Sequence, residues 1–161
     1  MQNIQTMIDQ PGGFEVVRTS YLSLENPPFM RLVIEVIGGP YLNGAYELSI
    51  AHYSEQNGDA MRDPEITFLV VPSAEGTKWT PLTYENSYLG AYQVVAEASR
   101  EGLIKVKQTQ WMKELRSFAK QWDRNLKAQG FMEVFERQYG AANGATTEGT
   151  VTRQGDAPQG Q

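Results

Sequence analysis

The sequence predicts an α+β fold: a mainly antiparallel β-sheet with a long C-terminal amphipathic helix packed on one face. Three observations predict it. Extended, β-branched and aromatic segments separated by Gly and Pro fill the first hundred residues. From Thr109 to Gln129 the apolar period changes to that of a helix. Strands first and a long helix last place that helix across one side of the sheet.

The elements follow in order. Residues 2–10 form a short helix with Ile4, Met7 and Ile8 on one side, stopped by Pro11-Gly12-Gly13. Phe14 to Leu24 reads as a strand ended by Glu25-Asn26-Pro27-Pro28, and Arg31 to Ile37 as a second, closed by Gly38-Gly39-Pro40. Tyr46 to Tyr53 alternates, with Leu48, Ile50 and His52 on one face. Glu65 to Val71 follows, with Ile66, Phe68 and Val70 inward, and Trp79 to Tyr84 is a fifth extended stretch. Tyr88 to Ala98 fits a strand or a helix. On the final long helix Thr109 is the expected N-cap, and Trp111, Leu115, Phe118, Trp122 and Leu126 form the core stripe. Gly130 ends it, Phe131 packs back behind it, and Met132 to Tyr139 forms a further short helix. Residues 1–140 are one domain. Residues 141–161 hold no aromatic, Leu, Ile or Met, so a disordered tail is expected there.

Composition excludes more than it identifies. The 161 residues include no Cys, which removes disulfides, thiolate metal sites and thiol nucleophiles. The single histidine, His52, removes any His-pair zinc site. The N-terminus lacks a basic segment followed by an apolar run, and no apolar stretch is long enough to span a bilayer. A cytoplasmic, non-membrane protein is expected.

The chemically densest segment runs from His52 to Glu65, HYSEQNGDAMRDPE. Asn57-Gly58 between alternating strands is a hairpin signal, since both residues tolerate positive φ. A two-residue loop pairs Gln56 with Asp59 and so sets Ile50 against Glu65, whereas matched apolar faces require Ile50 opposite Ile66 and Leu48 opposite Phe68. The one-residue conflict predicts a three-residue loop or a bulge. Pro64 lacks an N–H, so regular pairing is expected to start at Glu65.

Glu55, Asp59, Asp63 and Glu65 in this block are candidate ligands for a divalent cation, the one cofactor the block suggests; otherwise no cofactor is expected. The spacing fails as an EF-hand, because the glycine is misplaced and Ile66 stands where the closing glutamate belongs. The plainer reading is a solvated turn in which Asp59 and Asp63 accept backbone hydrogen bonds. His52 is the candidate general base, oriented by Glu55 or Asp63, with Ser54 the nearest hydroxyl. Its plainer reading is a half-buried imidazole bonded to a nearby carbonyl or carboxylate.

Charge is unevenly distributed. Between Lys105 and Lys127 lie seven of the 14 basic residues and two of the 19 acidic ones, +5 on that segment and −10 on the remainder. Lys113, Arg116, Lys120, Arg124 and Lys127 share one helical arc of about 80°, opposite the aromatic stripe. Such a ridge can meet an acidic protein face or track phosphates, or it can be an ordinary solvated surface.

Three stretches together resemble an uncharacterised domain family seen mostly in bacteriophage, plasmid and other mobile-element proteins. They are the ENPP entry at Glu25–Pro28 leading into Glu35, the AHYxEQNGDxMxDPE block from Ala51 to Glu65, and the NLxxQGF ending at Asn125–Phe131. The resemblance implies a genetic setting, an accessory protein in a bacterial host, and no reaction. With no complete catalytic constellation in the sequence, the expected function is binding a host or defence macromolecule, a protein first. The alternatives are a metal-dependent hydrolase or nuclease centred on residues 52–65, and nucleic-acid binding through the basic helix face.

Overall fold

The computed structural model describes residues 1–140. Two short helices come first, α1 (Gln2–Asp9) and α2 (Gly13–Thr19). A six-stranded antiparallel sheet follows, in which every strand neighbours the one before it: β1 (Leu22–Leu24), β2 (Arg31–Gly38), β3 (Tyr46–Gln56), β4 (Asp59–Val71), β5 (Lys78–Asn86) and β6 (Ala91–Val94). A two-stranded ribbon, β7 (Ala96–Ala98) and β8 (Ile104–Val106), leads into α3 (Thr109–Ala128) and α4 (Phe131–Phe135), which runs on into a π-helical turn over Glu136–Gly140. No helix among the described residues is long and apolar enough to cross a membrane. The proposed disordered tail, 141–161, lies outside the described residues.

The α+β prediction holds, and the alternation of the strands explains it. Register places Ile34, Ile50, Ile66 and Tyr84 in one row, Val36, Leu48 and Phe68 in the next, and Leu32 with His52 in another, all on one face. The helices close this inner face: α3 brings Trp122 to His52 at 5.5 Å and Phe118 to Tyr84 at 6.0 Å between ring centroids. Ile4, Met7 and Ile8 of α1 are buried in the same core, as expected. The outer face carries Ser49, Thr67 and Thr83 with Glu35, Glu65 and Glu85.

The hairpin register resolves as a bulge. Ile50 faces Ile66 and Leu48 faces Phe68, while Gln56 faces Asp59 across a two-residue turn in which Asn57 and Gly58 both have positive φ. Both registers hold because β4 uses three steps from Arg62 to Glu65 where β3 uses two from Tyr53 to Ala51. The extra residue falls at Asp63-Pro64, opposite His52. Pairing therefore does not start at Glu65, as the missing Pro64 N–H suggested; it also runs from Asp59 to Arg62.

Other expectations are corrected. The stretch from Phe14 to Leu24 is not one strand: α2 takes its first part and β1 only its last three residues. Gly13 makes this possible, because a Cβ there would collide with the carbonyl oxygens of Met7 and Ile8 where α2 turns off α1. Spacing of i, i+3 then lets Phe14 and Val17 face the core as a helix. Thr109 is the first helical residue rather than the cap, which is Gln108. The segment from Tyr88 to Ala98 divides into β6 and β7, and β8 is an additional strand.

The buried face of α3 is also rotated from the expected stripe. Trp111 and Phe118 are 45% and 43% exposed, while Met112, Ala119 and Asp123 are buried beside Leu115, Trp122 and Leu126. At 100° per residue this shifts the centre of the buried arc by about 50°. The cause is a second neighbour. α3 packs on α1 as well as on the sheet, and the polar Asp123 serves that contact by bonding to Asn3 and Ile4.

Candidate functional site

His52 ends the inner-face row of β3 and is 5% exposed. Its Nδ1–H donates to the Met30 carbonyl oxygen at 3.0 Å. Its ring packs against Trp122 and Phe131, with centroids 5.5 Å away in each case. Burial in this aromatic setting lowers its pKa, against smaller opposing effects from backbone groups at Arg31 and Met30 and from the charge of Asp63. The imidazole is therefore held neutral in the core.

The candidate carboxylates do not converge on it. Asp63, at the bulge, accepts a hydrogen bond from Asn86 Nδ2. Asn86 Oδ1 in turn accepts from the Leu89 N–H at 3.1 Å, and Arg62 exchanges hydrogen bonds with Ser87 through its N–H and its carbonyl. The turn after β5 is thereby fastened to the bulge. Glu65 lies on the outer face, accepting from Ser49 Oγ at 2.5 Å and pairing with Arg62 Nε at 3.2 Å. Glu55 and Asp59 are exposed beside the hairpin turn. Ser54 Oγ lies 2.6 Å from the hydroxyl of Tyr88. Among the described residues no three His, Asp or Glu side chains are grouped as a metal ion would require.

Sequence reasoning missed Arg62 and Tyr53 as the organisers of this outer face. The Arg62 guanidinium bonds to Tyr53 Oη at 3.2 Å and bridges Glu65 and Glu85. Tyr53 has Arg31 over its ring at 5.8 Å and Arg62 at 5.9 Å. The Tyr53 bond first, then the two carboxylates, hold Arg62 still more firmly protonated than usual. The available signal was alternation: it places Tyr53, Arg62 and Glu65 on one face once the bulge is counted.

The three motif-like stretches of the sequence meet here. Asn26 Nδ2 donates to the Gln129 carbonyl oxygen at 2.7 Å, near the end of α3. Phe29 and Phe131 lie 6.3 Å apart, and Phe131 touches His52. Gly130 adopts φ 86°, which turns the chain so that the fully buried Phe131 enters the core. Residues 25–35, 52–65 and 125–131 thus form one junction built around a neutral histidine.

The solvent face of α3 contrasts with it. Lys113, Arg116, Lys120, Arg124 and Lys127 are all exposed. None forms a salt bridge among the described residues, and Arg124 alone has a side-chain hydrogen bond, to Gln121 Oε1 at 2.7 Å. Asp123, one of the two acids of the segment, is turned inward. Its carboxylate accepts the N–H groups of Asn3 and Ile4 at 3.1 and 3.2 Å, capping the start of α1 from another helix. Glu114, the other acid, is held by Gln110 at 2.8 Å. The outward face is therefore more basic than composition indicates.

A family model described as "Domain of unknown function (DUF6908)" matches residues 2–132, and the chain belongs to that family. No curated protein and no solved structure matches the chain.

Proposed function

We propose that this member of the family is a non-catalytic accessory protein that docks an acidic protein surface through the solvent face of α3. One observation carries the reading. Lys113, Arg116, Lys120, Arg124 and Lys127 stand exposed together on one helix face without a carboxylate partner among the described residues; Lys78, Arg100, Lys105 and Arg137 also lack one but are scattered, and Arg18, Arg31, Arg62 and Lys107 each have one. A row of like charges on one helix is unfavourable in isolation and becomes favourable against a complementary surface. The resemblance of residues 25–35, 51–65 and 125–131 to mobile-element proteins supports a setting in the bacterial cytoplasm, with a host or defence macromolecule as partner.

The same face is the site of the nucleic-acid alternative. Against it, the rest of the chain carries −10. The exposed aromatic residues Trp111 and Phe118 border the other side of the helix rather than interleaving with the basic ones, as a base-stacking platform would require. The hydrolase alternative needs Glu55, Asp59, Asp63 and Glu65 to share a cation, and Glu65 and Asp63 already serve Ser49, Arg62 and Asn86.

The deciding experiment uses the native chain and a Lys120→Glu/Arg124→Glu variant as bait for host proteins, alongside a duplex-DNA mobility shift at low salt. The native chain should retain an acidic protein that raised salt releases, the variant should not, and DNA should not shift. A DNA shift abolished in the variant transfers the face to nucleic acid, and equal capture by both baits removes α3 from the reading. Calorimetry with Mg²⁺, Mn²⁺, Ca²⁺ and Zn²⁺ should give no saturable heat; heat that Asp63→Asn abolishes would restore the hydrolase.

A further inference from the structure

The helices close the inner face of the sheet at its His52 end and leave it open at the other. Between α1, the start of α2 and the ends of β3, β4 and β5 lies a cavity of about 250 Å³. Its wall carries three part-exposed aromatic side chains, Phe14, Tyr46 and Trp79, and its rim carries Gln5 and Asp9. Phe14 and Tyr46 stand edge to face at 5.1 Å, and Trp79 is set by a similar contact with Phe68 at 5.4 Å.

The polar groups at the rim form an ordered chain. Trp79 Nε1–H donates to Gln5 Oε1 at 2.7 Å, and Gln5 Nε2 donates to Asp9 Oδ1 at 2.7 Å. The indole N–H is thus committed, and the exposed Asp9 stands at the outer end of the chain of bonds. Nearby cations are directed elsewhere. Arg18 pairs with Glu15 at 2.7 Å. Lys78 belongs to the opposite face of the sheet, because it pairs with Val71 while Trp79 pairs with Val70. Among the residues that line it, the cavity therefore combines aromatic walls with one negative group and no positive one.

The geometry points to a binding site for a small organic cation with an apolar shell, a quaternary or methylated ammonium group, seated against Phe14, Tyr46 and Trp79 with Asp9 as its counter-charge. Aromatic rings attract such cations, and a methylated ammonium gives up less hydration than a bare metal ion on entering. An anion would meet Asp9 unfavourably, and a neutral apolar group would gain nothing from it. The cavity volume is just below the ~300–1,000 Å³ range of drug-sized ligands, which suits a headgroup rather than an extended molecule. This site shares no residue with the basic face of α3 and stands or falls independently of it.

The test titrates the full chain with choline and with its neutral isostere 3,3-dimethylbutan-1-ol at matched ionic strength. The readout is the indole N–H resonance of Trp79, identified by its loss in Trp79→Phe. Choline should shift it saturably in the millimolar range, with the isostere about tenfold weaker. Asp9→Asn, at an exposed position where folding is undisturbed, should reduce choline to the level of the isostere. Equal binding of the two probes, or an Asp9→Asn variant that binds choline as well as the native chain, overturns cation recognition. The absence of a shift with either probe overturns the site.

Discussion

The 52–65 block and the solvent face of α3 are both rich in charge, and they dispose of it in opposite ways. In the block, Asp63, Glu65 and Arg62 are each engaged by neighbouring side chains and His52 is sealed neutral beneath Trp122 and Phe131, while Glu55 and Asp59 stand exposed beside the turn. On α3, five basic side chains stand together with no carboxylate among the described residues to answer them. The more motif-like segment is therefore the more internally bonded one. Chemistry-bearing residue types that satisfy one another build a fold; those left unsatisfied are available to something else.

The sharpest way to break this comparison is to remove the centre of the junction. Phe131 is fully buried and packs between His52 and Phe29. Phe131→Ala should destabilise the domain by about 3–5 kcal/mol in denaturant unfolding, the cost of a large aromatic cavity. A loss under about 1 kcal/mol would mean that the three stretches merely adjoin. Asp123→Ala comes next. It strands the Asn3 and Ile4 N–H groups that the carboxylate accepts, and should cost about 1–3 kcal/mol with protection of α1 against hydrogen exchange lost first. Uniform loss of protection across the chain would show that α1 is not the element Asp123 holds.

How much of this was legible in the sequence follows from the range of each interaction. Alternation from Tyr46 to Val71 fixed both the strands and the need for a bulge, because two registers one residue apart cannot both hold in a regular ladder. α2 was hidden because Val16 and Val17 favour strands locally, and the collision that demands Gly13 involves carbonyls of α1. The inward turn of Asp123 was hidden for the same reason: its partners are 119 and 120 residues away. The candidate site divides similarly. The basic arc depends only on helical spacing and was fully readable. Whether Asp63 or Glu65 is free depends on Asn86, Ser49 and Arg62, whose positions only the folded sheet defines.

Acid sensitivity sharpens the comparison from the other side. Burial lowers the His52 pKa below its unfolded value near 6.5, so the unfolded chain takes up the proton first. The native state is undisturbed above that value and loses stability as pH falls from about 6.5 through the lowered folded pKa. Thermal unfolding at pH 7.5 and 5.5 should show the loss, and His52→Gln should flatten it while lowering stability at both values. A native chain and variant with the same pH slope would mean that folding leaves the His52 pKa unchanged and that its burial does not govern its protonation.

The smallest expected effect has the opposite sign. Arg116, Lys120 and Arg124 succeed one another at i, i+4 on the exposed face of α3. Like charges at that spacing destabilise a helix by about 0.2–0.5 kcal/mol per pair, and opposite charges stabilise it by a similar amount. Lys120→Glu exchanges two repulsions for two attractions without touching the core. It should stabilise the domain by about 0.8–2 kcal/mol at low salt, a gain that shrinks as salt is added. If the same substitution weakens capture of the acidic partner, the arc is maintained against the stability of its own helix, which a merely solvated surface has no reason to do. No gain in stability would mean that the five side chains relieve their repulsion in solvent, and the argument that the face is held ready for a partner would lose its energetic basis.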